Sequence, residues 1–258
     1  RSLAALALAL ALVGLAAPAD ATLILSGSFD GGPTVFAVDN QATNTCGSPV
    51  VGPCQLPDTD PTLGSLALNP ALFAGGALSI QASVQTADKA VGSSTLNRLD
   101  STGTQVTNNG LVSHSFSIAV GATDFVGPVT QATTTGAGQW SFLGDGFGDS
   151  TIEMTWWNDI LNGQGGITPG VPQPGLLVDS FANTPTVGIN PQSFSHTGGP
   201  FAVVDGDLFS MSLQFDGVIA PGVRLTGREM TEIKPLVAVS APSAFTLVGL
   251  GAGLLGLA

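Results

Sequence analysis

Six aspartates stand in three close pairs on Gly- and Pro-containing stretches: Asp58-Thr-Asp-Pro61, Gly144-Asp-Gly-Phe-Gly-Asp149 and Asp205-Gly-Asp207. Calcium takes several oxygen ligands and tolerates irregular loops, so Asp145, Asp149, Asp205 and Asp207 are candidate calcium ligands. None of the pairs matches the spaced Asp-x-Asp-x-Asp-Gly and distant Glu of an EF-hand loop. Asp-Gly is also a common turn dipeptide, and turn formation is the leading expectation for all three.

Glu153 and Trp157 lie four residues apart in Thr151-Ile-Glu-Met-Thr-Trp-Trp157, a spacing that puts both on one face of a strand. An acid beside an aromatic ring can cradle a sugar, so the two are candidate ligand-binding residues. Glycoside cleavage would need a second carboxylate across a cleft, and no partner for Glu153 is evident. His196 has Ser193 and Ser195 as sequence neighbours, but the body lacks the Gly-x-Ser-x-Gly elbow of a serine hydrolase. His114 falls on an apolar strand face and reads as a half-buried structural histidine. No catalytic constellation emerges, and the expectation is a protein that is not an enzyme.

Cys46 and Cys54 frame the loop Cys-Gly-Ser-Pro-Val-Val-Gly-Pro-Cys, whose glycines and prolines allow a tight bend. In an exported chain this spacing predicts a disulfide that pins a loop.

The elements that must position these residues show a period of two. Phe209, Met211, Leu213 and Phe215 alternate with Ser210, Ser212, Gln214 and Asp216. Val112, His114, Phe116, Ile118 and Val120 alternate with serines. Leu78, Ile80 and Val84 alternate with Ser79, Gln81, Ser83 and Gln85, and Ile152, Met154 and Trp156 oppose Glu153 and Trp157. Such alternation predicts half-buried antiparallel strands. Further strands are expected at Thr22–Ser26, Thr34–Val38, Leu96–Leu99, Gln105–Thr107, Gln139–Leu143, Leu176–Phe181, Phe201–Val204 and Gly222–Ile233. Asp100–Thr104 and Asp216–Gly222 read as hairpin connections, the second joining the last two strands into one long hairpin. Arg224, Thr226, Arg228, Glu232 and Lys234 would line its outer face as edge-guarding charges. His196 falls in an expected loop, and Asn69–Phe73 is a weak helical turn. Asn158–Gly175 is a long loop, a length that often marks function. About ten strands predict an all-β fold: an antiparallel two-sheet sandwich of jelly-roll or lectin-like type over residues 22–239.

Composition narrows the partners. Only 9% of the 258 residues are charged, and eighteen Asp and Glu face six Lys and Arg for a net charge of −12. Phosphate binding needs clustered cations, so no nucleic-acid partner is expected. Solubility must rest on Ser, Thr, Asn, Gln and Gly.

The ends carry addresses. Arg1, the uncharged Leu/Ala run Leu3–Ala17 and Ala19-Asp-Ala21 read as a signal peptide with a signal helix and a mature start at Thr22. The chain starts with Arg rather than Met, which predicts a longer gene product. Residues 240–258 form a C-terminal segment rich in Leu and Gly and free of charge, with the composition of a membrane helix. Pro242-Ser243 followed by Leu247-Val-Gly-Leu-Gly-Ala-Gly-Leu-Leu-Gly-Leu257 resembles the PEP-CTERM sorting tail of Gram-negative bacteria. Ser240-Ala-Pro242 stands where that family has Pro-Glu-Pro, and the family's basic cluster is expected after Ala258 in a longer gene product. The resemblance implies processing by an exosortase-type enzyme, transient inner-membrane anchoring and release to the cell surface or extracellular matrix. The function expected on this basis is that of a secreted surface or biofilm-matrix protein. The alternative is an adhesin that binds extracellular polysaccharide through Glu153 and Trp157.

Overall fold

The computed structural model describes residues 22–48, 50–87, 97–127, 130–142, 148–203 and 208–234. The signal segment, Asp145, Asp205, Asp207 and the tail containing Pro242 and Ser243 lie outside them. Among the described residues there is no α-helix, and none is long and apolar enough to cross a membrane.

Strands account for most of the rest. They are β1 (Leu23–Phe29), β2 (Val35–Val38), β3 (Cys54–Gln55), β4 (Ser65–Phe73), β5 (Leu78–Ala87), β6 (Asn97–Asn108) and β7 (His114–Val126). β8 (Gln131–Phe142), β9 (Thr151–Asp159), β10 (Leu176–Asn183), β11 (Gln192–Ala202), β12 (Leu208–Ile219) and β13 (Val223–Lys234) follow. They form a seven-stranded sheet in the order β10-β9-β12-β7-β1-β2-β3 and a six-stranded sheet in the order β11-β8-β13-β6-β5-β4. All pairings are antiparallel except the short parallel β2–β3 contact.

The expected alternation is what fills the space between the sheets. Phe209, Met211, Leu213 and Phe215 of β12, Ile152, Met154 and Trp156 of β9, and Phe116, Ile118 and Val120 of β7 are buried. Leu78, Ile80, Val84, Val106, Trp140, Val223, Leu225 and Ile233 meet them from the other sheet. Burial of side chains of this size contributes about 1.5–3 kcal/mol each and is the main stabilising term.

Five expectations are corrected. β12 and β13 are not a hairpin, because they belong to opposite sheets. Buried Asn108 fixes the crossing: its Nδ2 donates to Ile219 O (2.9 Å), and Gly222 N donates to its carbonyl (2.7 Å). β13 is thus central in its sheet, and Arg224 and Arg228 stand on a sheet face rather than at an edge. Asp100–Thr104 is not a turn but continues β6, with the register shifting opposite Ser83–Gln85 and Gly227–Glu229. Ser101 and Thr104 are buried there and bond each other (3.0 Å), so polar residues occupy strand positions that the pattern reads as a loop. His196 lies within β11, whose Ser, Thr and Gly residues carry no apolar rhythm. Asn69–Phe73 is part of β4, bulged between Leu68 and Ala71.

The Cys46–Cys54 disulfide is present, with the Cα atoms 5.0 Å apart. It closes the loop that leads from β2 into β3.

Candidate functional site

The outer face of the six-stranded sheet carries a groove of about 620 Å³. Its walls are amide and hydroxyl side chains: Asn69, Gln81, Gln105, Gln139, Ser83 and Thr226. These occupy the polar positions of strands whose alternate residues fill the core, so the period that builds the core also builds the groove. Small residues keep it open. A side chain on Gly103 would first meet Ser83 Oγ at 3.4 Å, and Ala137 lies directly beside Arg228 across the β8–β13 ladder.

Ser83 Oγ and Thr102 Oγ1 bond each other at 2.9 Å, but the glutamine amides are only loosely engaged within the protein. Gln139 Nε2 reaches Ser193 Oγ at 3.4 Å and Gln105 Nε2 reaches Thr107 Oγ1 at 3.5 Å. Both lie at the long limit of a hydrogen bond, which leaves the amides free to exchange partners. Arg228 is held more firmly. Its Nη2 donates to both oxygens of buried Asp100 (3.0 and 3.3 Å), while the guanidinium remains about half exposed at the groove. The groove has therefore one oriented cation and a neutral lining.

The sequence-selected residues lie elsewhere. Glu153 is exposed on β9, on the outer face of the seven-stranded sheet, directly opposite Asp216 of β12. The two line a smaller hollow of about 380 Å³ with Thr151, Asn183 and Thr184. Trp157 shares that outer face, pairs in register with Ser212 and Leu177, and donates from Nε1 to Thr155 Oγ1 (3.1 Å), but it does not line the hollow. The loop of residues 160–175 folds back over β12 and β7, with Gly165 against Gly121 and against Ser212, the register partner of Trp157. Ser210 Oγ donates to Gly163 O (2.6 Å), and buried Gln173 accepts from Gly166 N and donates to Gln214. That loop explains why Ser210, Ser212 and Gln214 are buried although they face away from the core. The pair proposed from sequence is thus on one face but not in one site.

Asp149 accepts a hydrogen bond from Ser113 Oγ (2.6 Å). Asp58 and Asp60 serve turns: Asp58 accepts from Asn40, Asp60 and Ala67 amides, and Asp60 from Thr62 N and Ser65 Oγ. The Ser65 and Thr62 bonds hold the Asp60 carboxyl below its ordinary value. Among the described residues no three His, Cys, Asp or Glu side chains converge as a metal site.

His196 does have an acid beside it. Its Nε2 lies 2.8 Å from Asp179 Oδ2, which also accepts from Thr134 Oγ1, and its ring stacks on Phe181 (4.8 Å) and against Trp156 (5.4 Å). Ser193 and Ser195 alternate with Phe194 and His196 along β11 and take the opposite face, where Ser193 meets Gln139. Among the described residues no serine hydroxyl bonds the imidazole, whose partner is Asp179. The cluster instead bridges β10 and β11, the neighbouring edge strands of the two sheets. His114 is half-buried at the start of β7, with Nδ1 2.6 Å from Asp30.

The sequence reading passed over Glu229. It faces the core from β13, is fully buried, and neither carboxylate oxygen has a partner among the described residues. Burial pushes its carboxyl well above the usual range, and the Asp216 charge adds to the effect.

No protein-family profile matches the chain, and no characterised protein is significantly similar in sequence. Solved structures give distant likenesses. TmCBM61 in complex with β-1,4-galactotriose is 10% identical with a TM-score of 0.28, over 61% of this chain and 88% of that one. The C-terminal CBM6 of LamC, a laminarinase of Zobellia galactanivorans, is 13% identical with a TM-score of 0.23, over 57% and 87%. The CBM22-1 xylan-binding domain of Paenibacillus barcinonensis Xyn10C is 12% identical with a TM-score of 0.29, over 68% and 89%. Scores this low carry no argument for this chain, and its two-sheet sandwich stands on its own strand pairing.

Proposed function

We propose that this chain is an exported, non-catalytic β-sandwich that binds carbohydrate in the groove of its six-stranded sheet. The observation that carries this reading is the lining itself. Asn69, Gln81, Gln105, Gln139, Ser83 and Thr226 present uncharged donors and acceptors in a trough of about 620 Å³ whose one charged lining residue, Arg228, is paired with Asp100. Sugars are dense in hydroxyls that both donate and accept, and amides and hydroxyls match them without charge. A concave site with several convergent polar groups is the ordinary form of a small-ligand site.

Export is supported by the signal-like residues 1–21 and by the Cys46–Cys54 bond, since disulfides persist in oxidising compartments. The Leu/Gly-rich residues 240–258 support sorting through the inner membrane by an exosortase-type enzyme and a final place at the cell surface or in an extracellular matrix. Affinity electrophoresis through gels containing neutral polysaccharides tests the binding. The wild type is expected to be retarded by at least one polymer, and Ala137→Trp, which fills the trough from an outward position, is expected to migrate freely. Equal retardation of both proteins would refute the site.

A further inference from the structure

Strand register places one position from each strand of the six-stranded sheet on a single line. Ser193 of β11 pairs with Gln139 of β8, and Gln139 with Thr226 of β13. Thr226 pairs with Gln105 of β6, and Gln105 with Gln81 of β5. Beyond Gln81 comes the β4 bulge between Leu68 and Ala71, where Asn69 is exposed. The line reads Ser193–Gln139–Thr226–Gln105–Gln81–Asn69. Every member is polar and none is charged. Five of the six line the groove, and the sixth meets Gln139 at its rim. The rows on either side are mixed, with Arg224 and Arg228 flanking Thr226 on β13 and Ala137 flanking Gln139 on β8.

We propose that the groove takes an extended, neutral polysaccharide lying across the strands, with this row reading successive sugars. The proposal rests on the carbohydrate-binding reading and adds to it the ligand's length, direction and charge. Neighbouring strands are about 4.8 Å apart, so the row repeats at close to the advance of one sugar in an extended β-linked chain. Its five steps span about 24 Å by the same spacing, room for roughly five sugars. Each Gln or Asn offers two donors and an acceptor, and Ser and Thr offer one donor and two acceptors, so every step can answer a sugar hydroxyl in either role. A single sugar would engage one or two of these side chains and leave the rest of the row to water.

The experiment is titration calorimetry of the whole chain with neutral β-1,4-linked gluco-, manno- and xylo-oligosaccharides of two to six units, alongside their parent polymers and alginate as an acidic chain. For a series that binds, affinity is expected to climb at least tenfold from dimer to pentamer and then level off. Gln81→Ala and Gln139→Ala sit three strand steps apart in the row, and each is expected to lower hexamer affinity roughly fivefold, the worth of one net hydrogen bond, with an unchanged unfolding midpoint. A dimer that binds as tightly as a hexamer would overturn the inference and leave the carbohydrate reading standing. So would full hexamer affinity in both Gln variants. Binding confined to alginate would overturn the neutral chain, and binding to no polymer at all would overturn the carbohydrate reading and this inference together.

Discussion

Glu229 is fully buried with neither oxygen bonded among the described residues, and that sets a pH dependence. Its folded-state pKa is raised well above the unfolded value, so the native state holds the proton more tightly. Its contribution is therefore fully present below the ordinary glutamate range, and stability declines as pH rises toward the folded-state value. Asp30 acts in the opposite sense. Burial would raise its carboxyl, but the bonds from His114 and Ser115 outweigh it and hold it low, so its contribution is lost on acidification. Glu229→Gln is expected to flatten the decline above about pH 4.5, the usual Glu range. Glu229→Leu is expected to stabilise the fold at pH 8 by on the order of 1–3 kcal/mol, the cost of a buried polar group without a partner. Urea unfolding of the three proteins from pH 4 to pH 9 measures both. Parallel wild-type and Glu229→Gln profiles would show that the carboxyl is solvated after all. At this scale the sequence was partly legible. Alternation placed Glu153 outside and Met154 inside, and it marked Arg224 and Arg228 as outward, but nothing in it tells that inward Glu229 goes unpaired. A contact between strands distant in sequence decides that.

Strand existence followed from apolar rhythm and strand pairing did not. Where buried apolar residues alternate with outward ones, as in β5, β9 and β12, the elements stand where expected. Where Thr, Ser and Gly fill both faces, as in the first half of β8 and in β11 before Phe201, the rhythm is silent and the sequence marks no strand. The last two strands were legible as elements, but the side chain that sends them to different sheets, Asn108, lies more than a hundred residues earlier. Asn108→Ala is expected to cost about 2–3 kcal/mol, because it strands the buried Ile219 carbonyl. The long loop after β9 is equally dependent on distant packing. A Cβ on Gly121 would fall 2.2 Å from the Gly165 carbonyl carbon, so Gly121→Ala is expected to lift residues 160–175 and speed their cleavage by a nonspecific protease. An unchanged cleavage rate would mean that the loop does not rest on β7. Replacing Cys46 and Cys54 together by Ala is expected to lower stability by about 2 kcal/mol, as suits so short a loop, with the two-sheet circular dichroism signal retained.

As a whole, the molecule separates its two tasks by face. The seven-stranded sheet is roofed near its middle by residues 160–175, while the six-stranded sheet leaves a polar trough uncovered. The two-sheet sandwich was legible from composition and period alone. The groove was not, because its members are scattered over β4, β5, β6, β8 and β13 and meet only through register. Glu153 and Trp157 stood out in the sequence for being close together in it, which is a weak guide to a site built across strands. The most direct test of the groove is a titration of isotope-labelled protein with the polysaccharide that retards it best, following side-chain amide and indole signals by NMR. The account predicts shifts in the Gln81, Gln105 and Gln139 amides with the Trp157 indole unmoved. Shifts centred on Trp157 and Glu153, with the three glutamines silent, would contradict it.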